Sequence, residues 1–230
     1  MRRLIIENIG PIKHVDLELA KVNVFVGPQG AGKSTLAKII SFCSWLEKHS
    51  SDDSVFLDAA SKLKSYHRLA SYFNPDSQIY YQGEDIIYCY GWDKEQISMP
   101  ERFENANVLS PNEKETIWFA IGKSVNPKVI YIPAERNFVA SVPNLQDYME
   151  DADSLQGFVV DWYNAKRRYT SSTPLPVLDL DVRFYSSDNT PDSLMLKNGT
   201  PVPLAASASG YQSLIPILTV VDWLSSGIYK

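Results

Sequence analysis

Val22-Asn23-Val24-Phe25-Val26-Gly27-Pro28-Gln29-Gly30-Ala31-Gly32-Lys33-Ser34-Thr35 is the stretch that decides how this chain reads. Gly27 to Ser34 form a complete G-x-x-x-x-G-K-[ST] loop,. The β-branched run before it predicts a buried strand over residues 22–26, and apolar residues at helical spacing follow it, with Leu36, Ile39, Ile40, Cys43 and Leu46 on one face,. Strand, glycine loop and helix in that order are the context in which such a loop cradles phosphate. Gly27, Gly30 and Gly32 allow a tight turn and a close backbone approach, and with Gln29 and Ala31 they line an anion nest of N–H groups, Pro28 completing the loop without a donor of its own. The helix N-terminus adds its positive end to the same place. Lys33 supplies a flexible point charge for the β- and γ-phosphates, Ser34 a hydroxyl for Mg²⁺, and Thr35 a hydroxyl near the α-phosphate. ATP with Mg²⁺ is the ligand this chemistry implies.

Outward from the loop, composition narrows the class. The chain has 230 residues, of which 44% are hydrophobic, 12% aromatic and 21% charged, as in an ordinary globular protein with a substantial core,. No run is long enough to span a membrane, and Met1-Arg2-Arg3 leads straight into a strand-like stretch rather than an export signal,. Cys43 and Cys89 stand far apart and read as buried free thiols of a reducing cytoplasm,. His14, His49 and His67 are equally scattered, so no zinc spacing is present. A formal charge of −5 argues against a surface built to hold nucleic acid,. The single basic cluster, Lys166-Arg167-Arg168, reads as a solvated helix end, with a local patch for DNA contact as the alternative,.

Strands are expected over residues 4–9 and 15–19, joined through Gly10-Pro11,. A helix is expected over 55–73, with Phe56, Leu57, Ala60, Leu63 and Tyr66 near one face, and then a hairpin of 78–81 and 85–90 about Gln82-Gly83-Glu84,. Ser110-Pro111-Asn112-Glu113 resembles a capping box and predicts a helix over 111–123,. Lys128-Val129-Ile130-Tyr131-Ile132 reads as a buried strand stopped by Pro133, with Glu135, Arg136 and Asn137 just past its carboxyl end, where ligands of open α/β sheets sit,. Residues 153–168 form an amphipathic helix pattern, 174–176 a linker and 177–185 a strand. Asn198-Gly199 turns a second hairpin,.

Ala206-Ser207-Ala208-Ser209-Gly210-Tyr211-Gln212-Ser213 then opens another helical run. A serine hydroxyl and a glycine backbone at a helix start form a second anion-binding arrangement. With the opening Ile5-Ile6-Glu7-Asn8-Ile9-Gly10-Pro11-Ile12 and the internal Tyr131-Ile132-Pro133-Ala134-Glu135-Arg136-Asn137, these parts resemble the ABC-type AAA ATPases of the SMC, RecF and OLD group. Anti-phage ATPases of the Septu and retron-associated kind share the layout. The resemblance implies an α/β P-loop NTPase of ABC-ATPase type, with an antiparallel β subdomain and a helical insertion. It implies one domain over 1–230, divided at 1–48, 49–127, 128–137, 138–204 and 205–230. Ser209, Gly210 and Gln212 stand at the serine, first glycine and glutamine of the family's L-S-G-G-Q signature, which contacts the ATP of the opposite subunit, while Ala208 and Tyr211 depart from that pattern.

The resemblance also implies a homodimer closed over two nucleotides, hydrolysis coupled to an effector such as a nuclease, and a role in DNA maintenance or phage defence. Glu135 and Arg136, or else Gln82, occupy the place of the family's polar residue near Mg²⁺ and water. The family's acidic Walker B strand has no counterpart after Gln212, because Asp222 falls inside a helical run. The expectation is therefore the N-terminal part of a longer ATPase, with weak or absent turnover by itself. A P-loop small-molecule kinase, with Arg136 and residues 166–168 on an acceptor phosphate, and a non-hydrolysing nucleotide-regulated scaffold are the alternatives.

Overall fold

The computed structural model describes residues 2–49, 53–119, 128–142, 153–187 and 190–226. The chain divides into two compact units, Met1–Ile130 and Tyr131–Lys230.

In the first unit, strands β1 (Arg2–Ile9) and β2 (Ile12–Leu19) form a hairpin, followed by helices α1 (Lys33–Lys48) and α2 (Ala59–Tyr66). Strands β3 (Gln78–Gln82), β4 (Ile86–Tyr90), β5 (Asn107–Asn112) and β6 (Glu115–Phe119) complete a six-stranded sheet in the order β2-β1-β3-β4-β6-β5. Every pairing in it is antiparallel. Side chains alternate across the pleat. Leu4, Ile6, Ile79, Tyr81, Tyr88 and Ile117 share one core with Ile39, Cys43, Leu46 and Leu63 of the helices. Tyr80, Ile87, Cys89 and Trp118 share another with Phe103, Trp92 and Met99, so residues 92–103 strap the opposite face. Burial on both sides explains why β4 and β6 have no exposed residue,.

The carboxylates of Glu47 and Glu115 are buried within this unit. Glu115 accepts hydrogen bonds from Tyr88 Oη at 3.0 Å and from the backbone N–H of Ala60 at 2.8 Å, so a β6 side chain satisfies the start of α2,. Glu47 accepts from Tyr81 Oη at 2.7 Å and from the N–H of Glu84 at 2.6 Å, tying α1 to the β3–β4 turn. Burial, with the adjoining carboxylates second, raises both phenols above their ordinary range and keeps them neutral donors,.

In the second unit, α3 (Phe138–Ser141) and α4 (Ser154–Lys166) precede a four-stranded sheet of β7 (Leu175–Pro176), β8 (Arg183–Ser187), β9 (Thr190–Met195) and β10 (Pro201–Pro203), and α5 (Ser209–Ser225) follows it. Asp153 caps α4 by accepting from the N–H groups of Leu155 and Gln156,. Trp162 and Phe184 pack with ring centroids 5.5 Å apart, both fully buried.

Several expectations need correction. Residues 22–26 form no strand, and Val22, Val24 and Val26 are 80%, 81% and 92% exposed. Residues 128–132 belong to neither sheet. The capping pattern at 110–113 lies instead in the β5–β6 hairpin, where the Asn112 side chain accepts from Lys114 N–H, and residues 120–123 of the expected helix lie outside the described residues. The helix expected over 55–73 is a 3-10 turn, the short α2 and a second 3-10 turn, with Leu57 exposed. The expected linker 174–176 holds edge strand β7, and the strand expected over 177–185 begins only at Arg183.

Candidate functional site: a phosphate loop at the start of α1

The loop from Gly27 to Gly32 is exposed or half-exposed and ends at α1, with Gly32 as the N-cap residue at φ 90°. Gly30 is also left-handed, at φ 81°, while Gly27 is not. Two of the three glycines therefore answer a backbone requirement. At Gly32 a second requirement is steric, because a Cβ there would meet Ile12 Cγ1 at 2.8 Å and Pro11 Cγ at 3.2 Å. No side chain caps α1 and its first turn carries no acid, so the positive helix end is uncompensated by the protein,.

Lys33 Nζ donates to the carbonyl oxygens of Gly27 at 2.8 Å and Pro28 at 2.6 Å. Its ammonium is thereby held at the mouth of the loop. Ser34 is exposed, whereas Thr35 is buried at 5% exposure against the core. Ser34 is thus the hydroxyl that an arriving phosphate–metal group can reach. Its setting suits Mg²⁺, which needs few protein oxygens. No cluster of three or more His, Cys, Asp or Glu side chains able to hold a metal occurs among the described residues.

In front of the loop, Asn23 closes its own turn, its amide oxygen accepting from Ala20 N–H at 3.0 Å and its amide nitrogen donating to Ala20 C=O at 2.8 Å. This local pairing closes a turn directly after β2. A polar residue inside an apolar run was the available signal, and it reads as a turn rather than a strand interior.

In the second unit, Ser209 and Gly210 are exposed at the start of α5, with Ala208 as N-cap and no side-chain cap. Gln212 turns inward instead. Its amide nitrogen donates to the carbonyls of Ala205 at 3.0 Å and Ser207 at 2.9 Å, and its amide oxygen accepts from Ser141 Oγ at 2.9 Å. Arg136 donates to the carbonyls of Ser213 and Pro133, both at 3.3 Å. Gln212 thus fixes the loop before α5, with Ser141 as a partner no sequence pattern announced, while Arg136 ties its own 3-10 turn to the first turn of α5. Glu135 is exposed beside them on a 3-10 turn. Gln82 stands at the end of β3, its side-chain oxygen accepting from Tyr80 Oη.

The basic cluster lies at the end of α4. Lys166 pairs with Asp192 at 2.8 Å, and Arg168 donates to Ser226 Oγ. Asp222 lies within α5 and accepts from Tyr169 Oη. Both cysteines are buried and free, and burial pushes the Cys89 thiol up to about 12,. Among the described residues no helix is long and apolar enough to cross a membrane.

Comparison with known proteins agrees with the loop. A protein-family model described as an AAA domain matches residues 3–157, two thirds of the chain. The match includes the phosphate loop and stops short of Ser209. No curated protein and no solved structure matches.

Proposed function

The chain belongs to the AAA domain family, and from that premise we propose that it is an ATP-binding module of the ABC/SMC type, working in the cytoplasm as one half of a nucleotide-bridged homodimer. The observation that carries the reading is the loop of residues 27–34 at the uncapped start of α1, with Lys33 at its mouth and Ser34 exposed. Backbone N–H groups of the loop and of the first helical turn donate to the β- and γ-phosphate oxygens. Lys33 exchanges two neutral carbonyl acceptors for charged ones, which make stronger hydrogen bonds. Ser34 offers its hydroxyl to Mg²⁺, which neutralises phosphate charge when bound. The free cysteines suit a reducing compartment,.

The proposed dimer places Ser209 and Gly210 of each copy against the γ-phosphate held by the other, as the resemblance to L-S-G-G-Q suggests. Their exposure at a helix N-terminus supports that role, while Gln212 supports the loop from behind,. Hydrolysis would then reset the dimer and drive a partner such as a nuclease in DNA maintenance or phage defence. Of the two candidates that the resemblance offers for the polar role, Glu135 is the more available, because Arg136 is engaged with backbone carbonyls.

Equilibrium binding of a fluorescent ATP analogue with Mg²⁺ tests the core of the reading. Lys33→Ala is expected to weaken binding about 10- to 100-fold, the loss of one strong charge-assisted contact. Equal affinity in the two proteins overturns it.

A further inference from the structure

Gly32 rests on Pro11, within the β1–β2 turn, and on Ile12, the first residue of β2, with no room for a methyl group between them. The geometry of the phosphate loop therefore depends on where that turn sits. The turn is held from outside by the segment between α2 and β3. Asn8 C=O accepts from Ser77 Oγ at 2.6 Å and from Asn74 Nδ2 at 2.9 Å, and Asn8 Nδ2 donates to Asp76 C=O at 3.3 Å. Gly10 N–H donates to Tyr72 C=O at 2.9 Å, and the Tyr72 ring lies so close over Gly10 that a Cβ there would meet it at 2.4 Å. Asn8 and Gly10 are both left-handed, at φ 52° and 54°, the region that glycine takes freely and asparagine more readily than most residues with a Cβ,.

The holding segment is itself closed. Asn74 Oδ1 accepts from Asp76 N–H, Ser77 Oγ accepts from Asn74 N–H, and Ser77 is fully buried. Asn74 thus does two separable jobs, closing its own turn with Oδ1 and gripping Asn8 with Nδ2.

We propose that Asn74 and Ser77 are positioning residues for nucleotide phosphates, acting through Asn8 and the β1–β2 turn on Gly32 and so on the N–H groups that begin α1. The proposal rests on the reading of residues 27–34 as an ATP site. It assigns part of the site's preorganisation to a segment about forty residues downstream of the loop,. A clamp of this kind limits how far the loop can stray from the geometry that meets phosphate, so loosening it weakens binding without removing any ligand contact.

The test compares Asn74→Ala, Asn74→Asp and Ser77→Ala with wild type and Lys33→Ala in the full chain. One readout is amide hydrogen exchange over residues 27–35 without nucleotide, and the other is affinity for Mg²⁺–ATP. Tyr88→Phe, which removes one buried hydrogen bond elsewhere in the same sheet, controls for general destabilisation. Asn74→Asp keeps the Oδ1 acceptor and deletes the Nδ2 donor. The expected result is several-fold faster exchange in the loop and about three- to tenfold weaker ATP binding in all three clamp variants, with neither change in Tyr88→Phe. If Asn74→Asp behaves as wild type, or if all variants share one exchange profile, the inference fails while the ATP reading stands on Lys33→Ala. If wild type binds no nucleotide and Lys33→Ala changes nothing, both fall.

Discussion

Lys33 meets two carbonyl oxygens of its own loop, so its ammonium is held against the backbone of residues 27–28. A different residue carries the clearest pH signature. His67 is 2% exposed, and burial, with the Lys38 charge second, holds its imidazole down to about 4 from an ordinary 6.5. The native state resists protonating it while the unfolded chain accepts a proton below about 6.5. Its contribution is therefore intact above that value and is lost as pH falls from 6.5 towards 4, by about 3 kcal/mol in all. Urea denaturation at pH 7.5 and 4.5 should show a stability loss in wild type that is smaller in His67→Phe. An equal loss in both would assign the acid sensitivity to carboxylates.

Among the elements, buried carboxylates do what sequence patterns assign to caps. Glu115 serves the start of α2, the Tyr88 phenol and the Asn112 amide together. Replacing it with alanine strands those donors and leaves a void, so a cost of about 2–4 kcal/mol is expected, read as a lowered denaturation midpoint. A loss below about 0.5 kcal/mol would mean that water replaces the carboxylate freely. The same residue explains a misread element. Ser110-Pro111-Asn112-Glu113 carries a helix-start pattern, but Ile117, Trp118 and Phe119 alternate between the two cores, and Glu115 is needed by α2. Tertiary demand overrides a local cap.

Where the determinants are local, the sequence is legible. The hairpin at residues 78–90, the apolar face of α1, the helix α4 and the Asn198-Gly199 turn each depend on neighbours within a few residues. Residues 22–26 and 128–132 are apolar and β-branched, yet a strand exists only by pairing, and neither stretch pairs in either sheet,. Within the candidate site, the loop and Lys33 could be read directly. The inward turn of Gln212 towards Ser141 could not, since it joins residues 71 positions apart.

For the whole molecule, the proposed function predicts nucleotide-dependent self-association. Light scattering or sedimentation should detect a dimer with Mg²⁺ and a non-hydrolysable ATP analogue, lost in Lys33→Ala and in Ser209→Arg. A Ser209→Arg chain that still binds nucleotide but stays monomeric would locate the dimer contact at the start of α5. Unchanged dimerisation would remove Ser209 from that contact. With a net charge of −5, the monomer has no general attraction for polyanions that would mimic this effect,.

The six-stranded sheet consists of three hairpins set side by side, β1–β2, β3–β4 and β5–β6. Each hairpin closes over a short turn, but β1 meets β3 only after the chain between Leu19 and Gln78 has been looped out, about sixty residues that contain the phosphate loop, α1 and α2,. Assembly order follows from that topology. Hairpins zip locally, whereas the loop's floor is fixed only when the distant closure is made, so the ability to hold nucleotide is expected to arrive late in folding. Stopped-flow refolding should show ATP-analogue binding lagging behind the recovery of backbone signal, and simultaneous recovery would place the long closure at the start.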